Sequence, residues 1–349
     1  MANPITIPNN TLLIPVNLSS SFKTFTLPVV SSNPGRMLIF KDIYGNAGNS
    51  TIRLSTIGLD RIERSNISSM VLSNTYGAWM FLNDGLTNWF LTDAYLNSLT
   101  FIERFIPTSI SGLRLWLDGS DLTTFTLSGT TVTQWADKSG LGNNTTATGG
   151  TSTYTSNAIN GLSAVLLNNS WLTGPFSSAY TGNQVQAFAV ASLTTGSGSY
   201  GRILSLGGPG VNDFNSADTT FMLCRNTAQN VMIGRNTSYL TVNIPAYSTP
   251  FIAQSSHNSN LMYIGLNGTL TPSSQSSGQT GNFNLTSYGI GTNTNTGDAT
   301  YWAGYVAEVI YYTGVLTTTQ RQQVEGYLAW KWGLQSLLPA GHPYKNAPP

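Results

Sequence analysis

The stretch Gly304-Tyr305-Val306-Ala307-Glu308-Val309-Ile310-Tyr311-Tyr312, followed closely by Leu316-Thr317-Thr318-Thr319-Gln320 through Trp332-Gly333, decides how this chain is read. Its first part is a mostly apolar run of β-branched and aromatic residues, which is strand composition. One carboxylate, Glu308, interrupts the run. A lone carboxylate in such a strand is expensive unless it is paired, so a partner such as Arg321 or Lys138 is expected. The second part changes period. Thr317 with Gln320 forms a capping box, in which the threonine oxygen satisfies an orphan amide at a helix start. Val324, Tyr327, Leu328 and Lys331 fall at helical spacing with Trp332 one residue further, giving one apolar stripe edged by the lysine stem. Gly333 stands where a left-handed residue ends a helix. A strand followed by one amphipathic helix is therefore expected near the C-terminus.

Working back from that stretch, the chain reads as strands separated by turns. Leu113-Arg114-Leu115-Trp116-Leu117 alternates and ends in Asp118-Gly119. Val132 to Trp135, Ala164 to Leu167, Val185 to Val190, Arg202 to Leu206, Phe221 to Leu223, Val231 to Gly234, Phe251 to Gln254, Leu261 to Leu266 and Tyr288 to Gly291 follow. Many short strands with Gly/Asn/Ser-rich turns predict a two-sheet sandwich over residues 110–333. Asn160-Gly161 suits a type I′ hairpin, because both positions of that turn need positive φ. Ser255-Ser256-His257 reads as a polar loop. Residues 21–105 show shorter strands, with turns at Asn33-Pro34-Gly35, Gly45 to Asn49 and Asn83-Asp84-Gly85, and a hairpin spanning Trp79 to Leu91; this is a small β-module. Residues 1–20 read as an extended arm, residues 100–109 as a junction, and the Pro-rich residues 334–349 as an extended tail. The fold class is all-β: a small N-terminal β-module, then a jelly-roll β-sandwich with one C-terminal helix.

Composition narrows the function classes. Only 8% of residues are charged and the net charge is +1, with 15 Lys+Arg against 14 Asp+Glu. No basic run exists to capture nucleic acid or a membrane surface. No apolar run approaches the roughly 20 residues that span a bilayer, so no membrane insertion is expected. The N-terminus, lacking a basic start and broken by prolines, is a poor signal peptide. One cysteine, Cys224, rules out an internal disulfide and reads as a buried core thiol. With two histidines besides, a four-ligand zinc site cannot be assembled.

Several motifs carry a resemblance. Gly112 to Asp118, Val132-Thr133-Gln134-Trp135-Ala136-Asp137-Lys138-Ser139-Gly140 with Gly142-Asn143-Asn144, Ala158-Ile159-Asn160-Gly161-Leu162-Ser163-Ala164-Val165, the strand Gly304 to Tyr312 and the helix Leu316 to Trp332 together resemble a concanavalin A-like/laminin-G-like domain over residues 110–333. The tail Leu338-Pro339-Ala340-Gly341-His342-Pro343-Tyr344-Lys345 resembles that of proteins of large double-stranded DNA viruses. The N-terminal module, through Asn33 to Asp42 and Tyr76 to Trp89, resembles small β-modules of viral fibre and capsid-associated proteins. This resemblance implies a non-enzymatic virion structural protein at the capsid surface, a penton, minor capsid or fibre protein. It would be assembled in the host cytoplasm and partnered by other capsid proteins and by itself as a homo-oligomer. The alternative it implies is a carbohydrate-binding attachment lectin, viral or bacterial, whose partners are host-surface glycans.

Candidate site residues follow from chemistry. A retaining glycosidase needs two carboxylates about 5 Å apart. The glutamates 63, 103, 308 and 325 stand alone in the sequence, and the nearest acid pairs, Asp118/Asp121 and Asp213/Asp218, lie in turns. No Ser-His-Asp arrangement stands out, so no catalytic residue is assigned. Many concanavalin-like domains hold Ca2+ through loop oxygens, and Asp118, Asp121 and Asp137 offer such oxygens, as do Asp213, Asn215 and Asp218. The competing reading is that these are solvated turn aspartates. No other cofactor is implied. For glycans, an exposed aromatic platform beside amides is needed; Tyr200, Phe214, Tyr239 and Trp302 are the candidates, with Tyr288, set against the reading that strand aromatics belong to the core.

Overall fold

In the computed structural model the strand Gly304–Thr313 is the central rail of an eleven-stranded sheet. Along one edge it pairs antiparallel with Gln184–Leu193. Along the other it takes Leu113–Asp118 and then Leu162–Leu167. Successive side chains point to opposite faces, so Val309 and Tyr311 face one way and Ile310 and Tyr312 the other. Both directions are buried. Val309 and Tyr311 join Val185, Ala187 and Ala189 in packing against Leu204, Leu206, Met222 and Ile290 of a seven-stranded sheet. Ile310 and Tyr312, with Phe188 and Val190, are covered by Val324, Leu328 and Trp332 of the C-terminal helical segment. The larger unit is thus three layers: sheet, sheet and helix. Each large apolar side chain buried between them contributes about 1.5–3 kcal/mol of transfer free energy.

The structure describes residues 5–7, 13–16, 23–32, 34–43, 52–62, 69–72, 77–95, 105–194, 200–214, 216–225, 230–271, 275–296 and 300–349. Most of the expected arm, Asn33, the turn from Gly45 to Asn49, Tyr76, the first half of the junction, Asn215 and the side chain of Cys224 lie outside them. The chain divides into two compact units, Met1–Glu103 and Arg104–Pro349.

Local rules account for the helix. It spans Thr318–Lys331, with both halves of the Thr317/Gln320 capping box formed. Gly333 ends it at φ 66°. The expected I′ hairpin forms between Thr153–Ile159 and Leu162–Leu167, with Asn160 at φ 46° and Gly161 at φ 86°. Asn160 also donates from Nδ2 to the Trp332 carbonyl at 2.7 Å, tying this turn to the helix end.

Two expectations change. Ser255-Ser256-His257 is no loop but part of the buried strand Phe251–Asn258. Two of its polar atoms find partners inside the sandwich: Ser255 Oγ donates to the Met222 carbonyl at 2.5 Å, and His257 Nε2 lies 2.8 Å from Thr220 Oγ1. Burial, reinforced by the charge of Arg235, holds the His257 pKa down at about 3. The tail is not extended. It folds through the turn Gln335–Leu337 and back onto the helix, where His342 Nε2 meets the buried Glu325 at 3.0 Å and Trp330 Nε1 donates to the Tyr344 carbonyl at 2.8 Å. Local sequence could not show this, because the anchor is a long-range contact between buried polar groups.

The smaller unit is a pair of sheets. Ile5–Thr6, Lys23–Thr26, Ile52–Ser55 and Ser69–Leu72 form one; Leu13–Val16, Met37–Asp42, Ala78–Asn83, Asn88–Tyr95 and Arg61–Ile62 form the other. Phe25, Leu38, Phe40, Leu54, Phe81 and Trp89 fill the space between. The hairpin is closed by Asp84, whose Oδ1 accepts from the backbone amides of Leu86, Thr87 and Asn88 at 2.9–3.0 Å.

Candidate functional site

On the outer face of the seven-stranded sheet, Arg202 opens the strand Arg202–Gly207 with its side chain almost fully buried. A buried guanidinium must be neutralised and hydrogen-bonded. Asp213 does both in a bidentate pair, with Nε to Oδ2 at 3.0 Å and Nη2 to Oδ1 at 2.6 Å. Nη1 donates to the Tyr200 carbonyl at 2.6 Å. One side chain therefore fixes two loops: the one carrying Tyr200 and the one carrying Asp213 and its neighbour Phe214.

The aromatic residues on those loops are held in place. Tyr200 sits at φ 62°, a left-handed conformation that disfavours any residue with a Cβ, and the bond from Arg202 secures its carbonyl. Phe214 follows a turn in which its amide donates to Asn212 Oδ1 at 2.9 Å. Its ring stacks on Phe221, with centroids 5.8 Å apart and planes 21° apart. Arg202 lies over the other ring, 5.6 Å from the Phe221 centroid. Together with Met232, Asn212 and Thr300 these residues line a pocket of about 340 Å³. Among the described residues its only charged lining residue is Arg202, already neutralised by Asp213, and that lining holds no carboxylate and no histidine.

The sequence candidates fare unequally. Tyr200, 43% exposed, and the half-buried Phe214 converge on this pocket. Tyr239, 50% exposed, lies on the neighbouring strand opposite Gly234, itself opposite Phe221. It shares the outer face but not the lining. Trp302 is a correction: it is fully buried, part of the core between the sheets and edge-on to Phe251 at 6.5 Å. Tyr288 is likewise buried, its hydroxyl donating to the Asn143 carbonyl at 2.6 Å. Arg202, Asn212, Phe221 and Thr300 were missed, because nothing local marks a buried arginine as the clamp for two aromatics.

The calcium candidates do not converge. Lys138 supplies the cation between two of them, with Nζ 2.9 Å from Asp118 and 2.7 Å from Asp121. Asp137 accepts instead from the amides of Trp116, Ser139 and Asn143 at 2.8–3.0 Å and so builds its own turn. Asp213 belongs to Arg202. Among the described residues no group of three His, Cys, Asp or Glu side chains gathers as a metal site would require.

The acids do meet in one place that chain order concealed. Asp118 stands directly opposite Glu308 across paired strands. The partner of Glu308 is neither Arg321 nor Lys138 but Lys331, at 2.8 Å; Lys331 also holds Asp118 at 2.6 Å, and Arg321 pairs with Glu325. Glu308 also accepts from Trp116 Nε1 at 2.7 Å, Trp332 Nε1 at 2.6 Å and the Tyr327 hydroxyl at 2.8 Å. Burial raises the Glu308 pKa and Lys331 only partly offsets it. For Asp118 burial pushes upward, but Lys331, Ser120 and Lys138 outweigh it and the pKa falls. Both oxygens of Glu308 are occupied and the residue has no exposure, so no substrate atom can reach it.

No family model matches the chain, and no curated protein does. Solved structures do. The receptor-binding domain of a botulinum neurotoxin mosaic of serotypes C and D is similar at 13% identity and TM-score 0.44, over 63% of this chain and 51% of that one. Domain 4 of AbnA, an extracellular arabinanase from Geobacillus stearothermophilus in complex with arabinotriose, is similar at 16% identity and TM-score 0.37, over 60% of this chain and 95% of that one. A GH54 α-L-arabinofuranosidase is similar at 14% identity and TM-score 0.46, over 64% and 60%. The chain spans about half the length of the neurotoxin domain.

Proposed function

We propose that the larger unit binds a neutral carbohydrate at the Tyr200–Phe214 pocket and does no chemistry on it. The observation that carries this reading is the clamp: Arg202, neutralised by Asp213, fixes two partly exposed aromatic residues at one mouth without net charge. A sugar ring has an apolar C–H face and a hydroxyl edge. Aromatic rings take the face, and a polar rim group such as the Asn212 side-chain amide takes the edge. Fixing the aromatics before the ligand arrives lowers the ordering cost of binding. Of the two readings left open by the sequence, this pocket favours the attachment lectin; the virion structural role rests on sequence resemblance alone.

A glycan array with the purified protein tests the proposal. Signal on one or more neutral sugars is expected, lost in both Tyr200→Ala and Phe214→Ala, with no shorter products after prolonged incubation with the bound sugar. A flat array overturns the binding reading, and new reducing ends overturn the non-catalytic one.

A further inference from the structure

A second pocket, of about 320 Å³, opens on the same outer sheet face and has been assigned nothing so far. Its aromatic element is Trp171, which begins the strand Trp171–Gly182. Trp171, Thr173 and Pro175 point outward on alternate positions, while Leu172 points into the core. The indole lies against Gly149 on the paired strand, where a Cβ would come within 2.3 Å of it. That glycine seats the half-buried ring against the sheet. Thr173, Ser287 and Thr296 line the same pocket, and among the described residues no charged side chain does.

The two pockets share a wall. The strand Arg202–Gly207 starts at the first pocket, and its end, Gly207, pairs with Ser287 of the second. Residues 208–214 then return along that strand to bring Asp213 back to Arg202. This return is pinned: the Gly210 amide donates to the Thr294 carbonyl at 3.0 Å, Thr294 Oγ1 to the Val211 carbonyl at 2.8 Å, and Thr219 Oγ1 to the Asn212 carbonyl at 3.0 Å. Pro209 and Gly210 line the Trp171 pocket, whereas Asn212 and Phe214 line the Tyr200 pocket. Five residue steps along a strand separate the two ends, roughly 16 Å.

We infer that the two pockets are subsites of one groove, and that its ligand is a linear neutral oligosaccharide held at one end by Trp171 and at the other by Tyr200 and Phe214. This rests on the carbohydrate reading of the Tyr200 pocket and extends it from a single sugar to a chain. Two sites joined through one ligand reinforce each other once the ligand spans them, and not before. A ligand too short to span gains nothing from Trp171.

The test is calorimetric titration of the whole protein with ladders of neutral oligosaccharides, from disaccharide to octasaccharide in the gluco, manno, xylo and arabino series. Affinity in at least one series is expected to step up by about tenfold or more at the spanning length, since one aromatic contact is worth ~1.4 kcal/mol. Trp171→Ala should abolish that step and leave the disaccharide unchanged. Thr296→Trp, which fills the second pocket without touching the indole's seat, should do the same and covers the case in which the alanine variant does not fold. Tyr200→Ala should weaken every length. The inference is overturned if neither second-pocket variant changes the affinity of the longest oligomer, or if both weaken all lengths equally. If no oligomer of any length binds the unaltered protein, the carbohydrate reading itself falls and the groove with it.

Discussion

The helix-covered face of the larger unit and the open face of its seven-stranded sheet both bury a cation against a carboxylate, yet they use the pair differently. Under the helix, Lys331 holds Asp118 and Glu308 while Trp116, Trp332 and Tyr327 saturate the remaining lone pairs of Glu308. Every group is spent on the others, and the result is a seal between sheet and helix. On the open face Arg202 and Asp213 satisfy each other, and the surplus donor of the guanidinium reaches outward to fix Tyr200. The contrast separates a buried pair consumed within its own cluster from one that also positions an exposed side chain.

Four experiments put that contrast to the test. The largest effect is expected under the helix. Glu308→Ala removes one of the two carboxylates on Lys331 and leaves two indole donors and a tyrosine hydroxyl without their acceptor, and should cost about 3–5 kcal/mol in denaturant unfolding. A loss below about 1 kcal/mol would show that the seal is ornamental. Arg202→Met comes next. It leaves Asp213 buried without its partner and should cost a comparable or slightly smaller amount, about 3 kcal/mol, but unlike the first variant it should also abolish sugar binding by the folded protein.

The third measurement concerns the layer between the two faces. His257 stays neutral in the fold with a pKa of about 3, whereas unfolded histidine titrates near 6.5. Between those values the unfolded chain binds the extra proton, so stability from this residue is full above about pH 6.5 and falls as pH drops toward 3, by up to about 1.4 kcal/mol per pH unit. Unfolding midpoints measured from pH 7 to 4 should lose most of this slope in His257→Gln; an unchanged slope would assign the acid sensitivity elsewhere. The smallest effect on stability is expected from Tyr200→Ala, within about 0.5 kcal/mol of the parent because the residue is partly exposed and lies outside the core clusters. If that variant unfolds readily, Tyr200 is part of the scaffold and the two faces are not opposites.

What could be read from the sequence was local. The helix with its Thr317 cap and Gly333 stop, the Asn160-Gly161 turn and the alternation of the strands are all set within a few residues, and each appears where expected. Tyr200 and Phe214 were legible as aromatics among polar neighbours. Trp302 has the same surroundings in the chain yet lies in the core, since its position depends on which residues the sheets bring over it. The opposition of Asp118 and Glu308 joins strands 190 positions apart and leaves no trace in spacing. The capture of Asp118 and Asp121 by Lys138 could not be told from a cation site, because a bound ammonium and a bound metal ask for the same oxygens.

The place of the strand Gly304–Thr313 also dictates when the molecule can come into being. It is flanked by segments made far earlier, Leu113–Asp118, Leu162–Leu167 and Gln184–Leu193, and none of them neighbours another through backbone bonds until it arrives. During ribosomal synthesis these apolar strands must wait with open edges for more than a hundred residues. The nascent chain therefore carries open strand edges through much of its elongation, and the long-range pairing that closes the sheet must wait for a late strand.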